Sequence, residues 1–208
     1  MYLSKLTLKD EMEFISFHNE FVQEGGRIYP GILKKFNGDF AEYLALIEKN
    51  SDPLLQPEWR VSDSTYVLKD SKGRIYGMAS LRHRLTDELL ISGGHIGYGI
   101  RPSERGKGYG TKLLFLLLPE CFNLGIDKVL ITCDKNNHAS AGVIKNNGGI
   151  LENEIIESDG NILQRYWITL KRSEYNGKNA CYYYRTPRCG QNDSGAGVGK
   201  DNRFKAFS

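Results

Sequence analysis

The chain has 208 residues, 40% hydrophobic and 25% charged, which is average usage for one soluble domain and excludes wholesale disorder or a membrane bundle. Its longest unbroken apolar run, Leu113–Leu118, is far short of the roughly 18–20 residues needed to cross a bilayer. The net charge of +3 divides unevenly, because residues 171–208 hold eight basic and three acidic side chains, a net of +5, against 20 basic and 22 acidic ones, a net of −2, over residues 1–170.

In chain order, Tyr2–Leu8 alternates as a first strand, and Lys9-Asp10-Glu11 places acids in the first turn of a helix, where the dipole favours them. Phe14, Ile15, Phe17, Phe21 and Val22 give that helix one apolar face, stopped by Gly25-Gly26. Asp39 opens a second helix with Phe40, Tyr43, Leu44 and Ile47 facing inward, and Asn50–Ser62 reads as loop. Ser64–Lys69 and Arg74–Leu81 form a hairpin about Asp70-Ser-Lys-Gly73. His95–Ile100 is a strand ended by Pro102, followed by a glycine-rich loop and a Leu-rich helix that closes at Leu124-Gly125. Lys128–Cys133 has the pattern of a fully buried strand. His138–Asn147 is a short helix, and Gly149–Glu157 with Ile162–Leu170 is a last hairpin about Ser158-Asp-Gly-Asn161. The order predicts a single mixed α/β domain over residues 1–170, with residues 171–208 as a polar, basic, flexible tail. The start Met1-Tyr-Leu-Ser-Lys lacks a signal-peptide h-region, and Cys121, Cys133, Cys181 and Cys189 fall in no CxxC pair, so free thiols in a reducing cytoplasm are expected.

Ile96-Gly-Tyr-Gly-Ile-Arg-Pro-Ser-Glu-Arg-Gly-Lys-Gly-Tyr-Gly-Thr111 runs from a strand into a helix. Gly106, Gly108 and Gly110 lack Cβ atoms, so successive amides can turn toward one point, and at a helix N-terminus they cradle phosphate oxygens. Arg105 and Lys107 add positive charge. The alternative is a tight glycine turn with no ligand. No P-loop is present, and a dinucleotide loop fits Gly106-Lys-Gly108-Tyr-Gly110-Thr111 one glycine out of register, with Asp134 as its ribose acid. Arg105-Gly-Lys-Gly108-Tyr-Gly110 matches the acyl-coenzyme A loop R/Q-x-x-G-x-G/A.

With the entry Ile100-Arg-Pro102 and the segment Asp134-Lys-Asn-Asn137-His-Ala-Ser140 after the next strand, residues 1–170 resemble the GNAT superfamily of N-acetyltransferases. The resemblance implies the GNAT fold and transfer of acetyl from acetyl-CoA to a primary amine of a small molecule or peptide. The implied cofactor contacts are Tyr98, Gly99 and Ile100 along the strand, Arg105, Gly106, Lys107, Gly108, Tyr109, Gly110 and Thr111 in the loop, and Asn137 with Ser140 at the following helix. A strand amide near Ile100 would stabilise the developing oxyanion, a contribution of about 3–4 kcal/mol. Many relatives carry a tyrosine acid seven residues after the asparagine; here that position is Ile144. Because a thiol pKa of about 8.5 makes thiolate a fair leaving group, activity is still expected.

His95, titrating near neutrality, and Glu58 are candidate bases, and Tyr98 is a candidate acid; an edge histidine, an exposed loop acid and a packing tyrosine are the plainer readings. The acceptor site is expected within Glu20–Asp63, whose acids Glu20, Glu24, Asp39 and Glu58 and aromatics Phe21, Tyr29, Phe36 and Trp59 suit a cationic amine. His18, His83 and His138 lack ligand spacing, so no metal is expected. No membrane or nucleic-acid partner is expected either, Tyr182-Tyr183-Tyr184-Arg185 and Arg188 reading as solvated tail. A homodimer is among the assemblies the resemblance allows. Two other classes stay open: a non-catalytic acyl-CoA sensor and a dinucleotide-binding oxidoreductase.

Overall fold

A computed structural model describes residues 1–171; the tail expectations lie outside the described residues. Among the described residues, seven strands form two sheets. β1 (Tyr2–Ser4), β2 (Asp63–Lys69), β3 (Ile75–Arg82) and β4 (Ile96–Ile100) make an antiparallel sheet in chain order. β5 (Lys128–Asp134), β7 (Ile162–Thr169) and β6 (Ile150–Ile156) make a second antiparallel sheet with β7 in the middle.

One face of the first sheet carries α1 (Glu11–Glu24) and α2 (Phe40–Ser51). Phe14, Phe17 and Phe21 recur at helical spacing and are buried, packing with Tyr43 and Ile47 of α2 on Val67, Ile75 and Met78 of the sheet. Asp39 caps α2 by accepting from the Glu42 amide at 2.9 Å. The other face packs Leu68, Ala79, Leu81 and Ile96 against α4 (Tyr109–Asn123) and α5 (His138–Asn146), and this core continues into Val129, Ile131, Tyr166 and Ile168 of the second sheet. The Gly125 cap at φ 77° ends α4 as the sequence anticipates. The first strand is shorter than expected: Thr7 and Asp10 lock each other in a capping box and turn the chain into a 3₁₀ turn at Leu8–Asp10. A helix absent from the sequence reading, α3 (Asp87–Ile91), lies between β3 and β4 and is capped by Thr86.

The two sheets are tied by hydrogen bonds just ahead of β4. His95 N–H donates to the Leu130 carbonyl at 2.7 Å, and the Leu130 N–H donates to His95 Nδ1 at 3.0 Å. Past this junction β4 and β5 share no ladder. The register of β3 on β4 decides what the open edge offers. Arg82 N–H bonds His95 C=O, and Arg101 N–H bonds Tyr76 C=O. Gly97 and Gly99, pairing Ser80 and Met78 at the same parity, therefore turn their peptide groups toward β3. The N–H and C=O groups of Ile96, Tyr98 and Ile100 point to the open side.

Candidate active site

The site forms where α4 begins beside this open edge. Gly106 (φ 75°) and Gly108 (φ 81°) adopt the left-handed conformation that a Cβ disfavours, which lets the loop coil into α4. Among the described residues, the amides of Gly106 through Thr111 donate to no protein acceptor, the first intrahelical bond being Lys112 N–H to Gly108 C=O at 3.1 Å. Six successive unpartnered amides at a helix start are a cradle for an anion. The loop's cations are not free, however. Arg105 pairs with Glu24, bonds the Ile100 carbonyl at 3.2 Å and lies over Phe21, while Lys107 bonds Glu104 at 2.9 Å and the Ser103 carbonyl at 3.0 Å. Backbone donors and the helix dipole, more than Arg105 and Lys107, supply the attraction here, because both cations are neutralised by carboxylates that the sequence reading did not connect to them.

From the open edge a cavity of about 650 Å³ runs under the connection between α1 and α2. Gly97, Tyr98, Cys133, Asn137 and Ser140 line its inner end. Asn137 caps α5 with its carboxamide oxygen, accepting from the Ser140 amide at 3.0 Å, which leaves its N–H₂ donors unused by described residues. Tyr98 Oη lies 2.9 Å from Ser140 Oγ, and burial pushes this phenol up to about 12. Gly99 has no side chain because the Tyr29 carbonyl occupies that space; a Cβ there would clash with backbone. Tyr29 and Pro30 thus roof the cavity over β4.

The cavity draws on part of the stretch expected to hold the acceptor, while acids expected there are engaged elsewhere. Tyr29, Trp59 and Asp63 line the cavity. Glu20 is paired with Arg101, Glu24 with Arg105, and Asp39 serves as a helix cap. Phe21 and Phe36 are core residues of the α1 and α2 layer. The cavity carboxylates are Asp63, Glu88, Asp134 and Glu157. Asp63 and Ser80 belong to no sequence motif; the observed register, shifted by a bulge at Leu68 and Lys69, sets Thr65 opposite Ser80 and so places Asp63 on the same face.

Neither expected base reaches the cavity. Glu58 is exposed and lies outside the lining, its backbone carbonyl bonded by Arg84 at 3.1 Å. His95 is buried, also outside the lining, and its Nδ1 lone pair is held by the Leu130 amide. Nε2 therefore carries the proton in the neutral ring, so no nitrogen is free to accept one. Burial and the neighbouring Arg82 lower this imidazole to about 4. A position next to the edge strand gives no access to the cleft here, because the ring is the latch between the sheets. Protonation of unfolded but not folded His95 makes stability fall as pH drops from about 6.5 to about 4. His95→Asn should flatten that part of the melting temperature profile, leaving the share contributed by His18 and His83, whose half-buried rings are also lowered by desolvation.

A family profile described as an acetyltransferase (GNAT) domain matches residues 1–150. The chain belongs to the GNAT acetyltransferase family. The fold agrees. Spermidine N-acetyltransferase from Vibrio cholerae, solved as a single-site mutant, is 17% identical, with 86% of this chain and 99% of that one covered at a TM-score of 0.56. Ribosomal-protein-S5-alanine acetyltransferase from Vibrio fischeri is 12% identical, covering 82% and 93% at 0.58. A Salmonella typhimurium protein described as an acetyltransferase, solved with its cofactor acetyl-CoA, is 19% identical, covering 82% and 94% at 0.55. No curated protein sequence matches this chain. The dinucleotide alternative fails on topology as well: β4, the strand feeding the glycine loop, is the fourth strand, and its only ladder among the described residues, to β3, is antiparallel, where a dinucleotide fold needs a parallel first strand.

Proposed function

We propose that this GNAT acetyltransferase moves the acetyl group of acetyl-CoA to a primary amine of a small molecule or peptide, by direct attack of the amine on the thioester. The observation that carries the reading is the row of unpartnered amides from Gly106 to Thr111 beside the open edge of β4. These donors fit a pyrophosphate, and the peptide groups of Tyr98 and Ile100 fit an amide-bearing arm laid along the strand. The Ile100 carbonyl is taken by Arg105, so at that residue the strand offers a donor alone, suited to a developing oxyanion. Asn137 extends carboxamide donors from the opposite wall. Acetyl-CoA supplies an activated acyl group; the chain positions it against the cavity and excludes bulk water under Tyr29 and Pro30.

Tyr98 is the proton donor to the departing sulfur. Its hydroxyl reaches α5 at Ser140, whereas Ile144, at the usual tyrosine position, is buried in the core. The non-catalytic sensor reading rested on the missing tyrosine, and a hydroxyl delivered from β4 removes its main support.

The test is calorimetry with acetyl-CoA, joined to thiol release measured over a panel of primary amines. Binding in the micromolar range with amine-dependent thiol release is expected. Acetyl-CoA binding without thiol release from any amine would support the sensor reading, and absence of binding would end both.

A further inference from the structure

The cavity contains one carboxylate set against the cofactor strand on the side opposite Tyr98. Side chains alternate across a sheet, so Asp63 and Thr65 of β2, Ser80 of β3 and Gly97 of β4 share the face that carries α1 and α2. Tyr98 belongs to the other face and meets α5. Ser80, only 7% exposed, donates to Asp63 Oδ2 at 2.6 Å. Asp63 Oδ1 has no partner among the described residues. Gly97, directly across from Ser80 in the register, places no side chain between this pair and β4.

The other cavity carboxylates are occupied or remote. Asp134 accepts from Asn161 at 2.9 Å and faces Arg27 at 3.6 Å. Glu157 accepts from Asn161 at 2.8 Å and from Ser92 at 3.1 Å. Glu88 sits exposed on α3. A second observation marks the same floor as built for a ligand: Asn50, 3% exposed and lining the cavity, leaves its buried Nδ2 without a partner. An unpaired buried donor of this kind costs about 1–3 kcal/mol unless something bonds it.

Resting on the acetyl-transfer reading, we propose that Asp63, held by Ser80, receives the acceptor's ammonium group at the cavity floor and takes its proton. The acceptor is then a cationic primary amine that also presents a hydrogen-bond acceptor to Asn50. The nitrogen lone pair freed at Asp63 forms the C–N bond to the acetyl carbon as the C–S bond breaks. Of the two protons the nitrogen gives up, one passes through Asp63 to water. The other reprotonates Tyr98, whose own proton has gone to sulfur. Base and acid thus work from opposite faces of the first sheet.

The experiment compares wild type, Asp63→Asn and Ser80→Ala in thiol release with the best amine of the panel, in acetyl-CoA calorimetry and in thermal melting. Asp63→Asn should bind acetyl-CoA as wild type does, yet lose about 100-fold in kcat/KM for the amine, within the range of a general base. It should also react only with amine already neutral in solution, so its rate should fall about tenfold per pH unit below the amine's own pKa of about 10, where wild type, which takes the ammonium, falls less steeply. Tyr43, Arg82 and His83 are titratable groups whose charge is felt at Asp63, and all three remain in the variant. Ser80→Ala should lose about tenfold while keeping the wild-type pH profile. If Asp63→Asn melts early, Asp63→Glu replaces it, with a lowered kcat and the wild-type pH profile expected. A rate within about threefold of wild type for either Asp63 variant, with the pH profile of Asp63→Asn unchanged, overturns the role of Asp63 and leaves acetyl transfer standing. A wild type that binds acetyl-CoA but acetylates nothing, or does not bind it, overturns both.

Discussion

Replacing Arg101 with alanine should lower the unfolding free energy by about 3 kcal/mol, measured by urea denaturation. Arg101 is 1% exposed, the most buried charge described. One Nη reaches Glu13 Oε1 at 2.6 Å and the other Glu20 Oε1 at 3.3 Å, and the guanidinium lies over the Phe17 ring at 5.6 Å. The two acids do further work: Glu13 accepts from the Ile75 amide at 2.9 Å, and Glu20 from the Ser103 amide at 3.1 Å. One cation therefore ties α1 to the start of β3, the end of β4 and the turn that opens the glycine loop. Breaking a buried pair by deleting one partner typically costs about 3–5 kcal/mol, because the remaining charges are left uncompensated. Glu13 and Glu20 keep 30% and 25% side-chain exposure, so water relieves part of that penalty and the lower end applies. Arg101→Met keeps most of the volume and separates packing from charge. Adding Glu13→Gln to it should cost less than the two single changes predict, since the second change removes an orphaned carboxylate. Additive losses would show that the pair is not coupled.

Arg101 also illustrates what the sequence conceals. It was read only as the middle residue of Ile100-Arg-Pro102, and its partner Glu13 lies 88 positions away. Local signals served well where local physics governs: the phenylalanine spacing of α1, the turn tetrad of the first hairpin, the glycine stop of α4 and the loop into it. The seven strands of the described residues follow from alternation, turn residues and, for β5, a continuous apolar run, although β6 is largely exposed and needed its hairpin partner to be recognised. The five residues of α3 are too few to show a helical period, and they stand only because Thr86 caps them and the Arg82 side chain bonds the Gly93 and Gly94 carbonyls behind them. The candidate site divides the same way. The amide cradle and Asn137 are contiguous motifs and could be read. Which carboxylate enters the cavity depends on long-range pairing, and there Glu20 and Glu24 were spent on arginines while Asp63 was left open. His95 lies one residue ahead of β4 rather than inside it, and its partner on β5 could not be read from residue types.

Tyr98→Phe should reduce kcat by about 100-fold, the lower end for a general acid, since a thiolate also leaves moderately well unaided. KM for acetyl-CoA should be unchanged, because the strand's peptide groups and the amide cradle are untouched. Ser140 and Ile144 are one turn apart and so share a face of α5. The Tyr98 hydroxyl docks on that face at Ser140, so in the proposed mechanism a strand supplies the group that the helix lacks at Ile144. A phenol at Ile144 would have to displace a side chain that is fully buried against α4 and β5. Burial holds Tyr98 at about 12, above the ordinary value of 10. The donor is therefore protonated at neutral pH, and it contributes no loss of rate on the alkaline side until pH passes well above 10. The same shift has a stability consequence of fixed sign: unfolding releases the phenol to ionise at its ordinary value, so stability falls between about pH 10 and 12. Tyr43 and Tyr66, whose pKa values burial also raises, add to that fall. Tyr98→Phe should reduce the alkaline loss of stability while depressing kcat at every pH. A variant that loses stability at neutral pH but keeps kcat within about twofold would show the phenol to be packing alone, and the sulfur would then leave as thiolate.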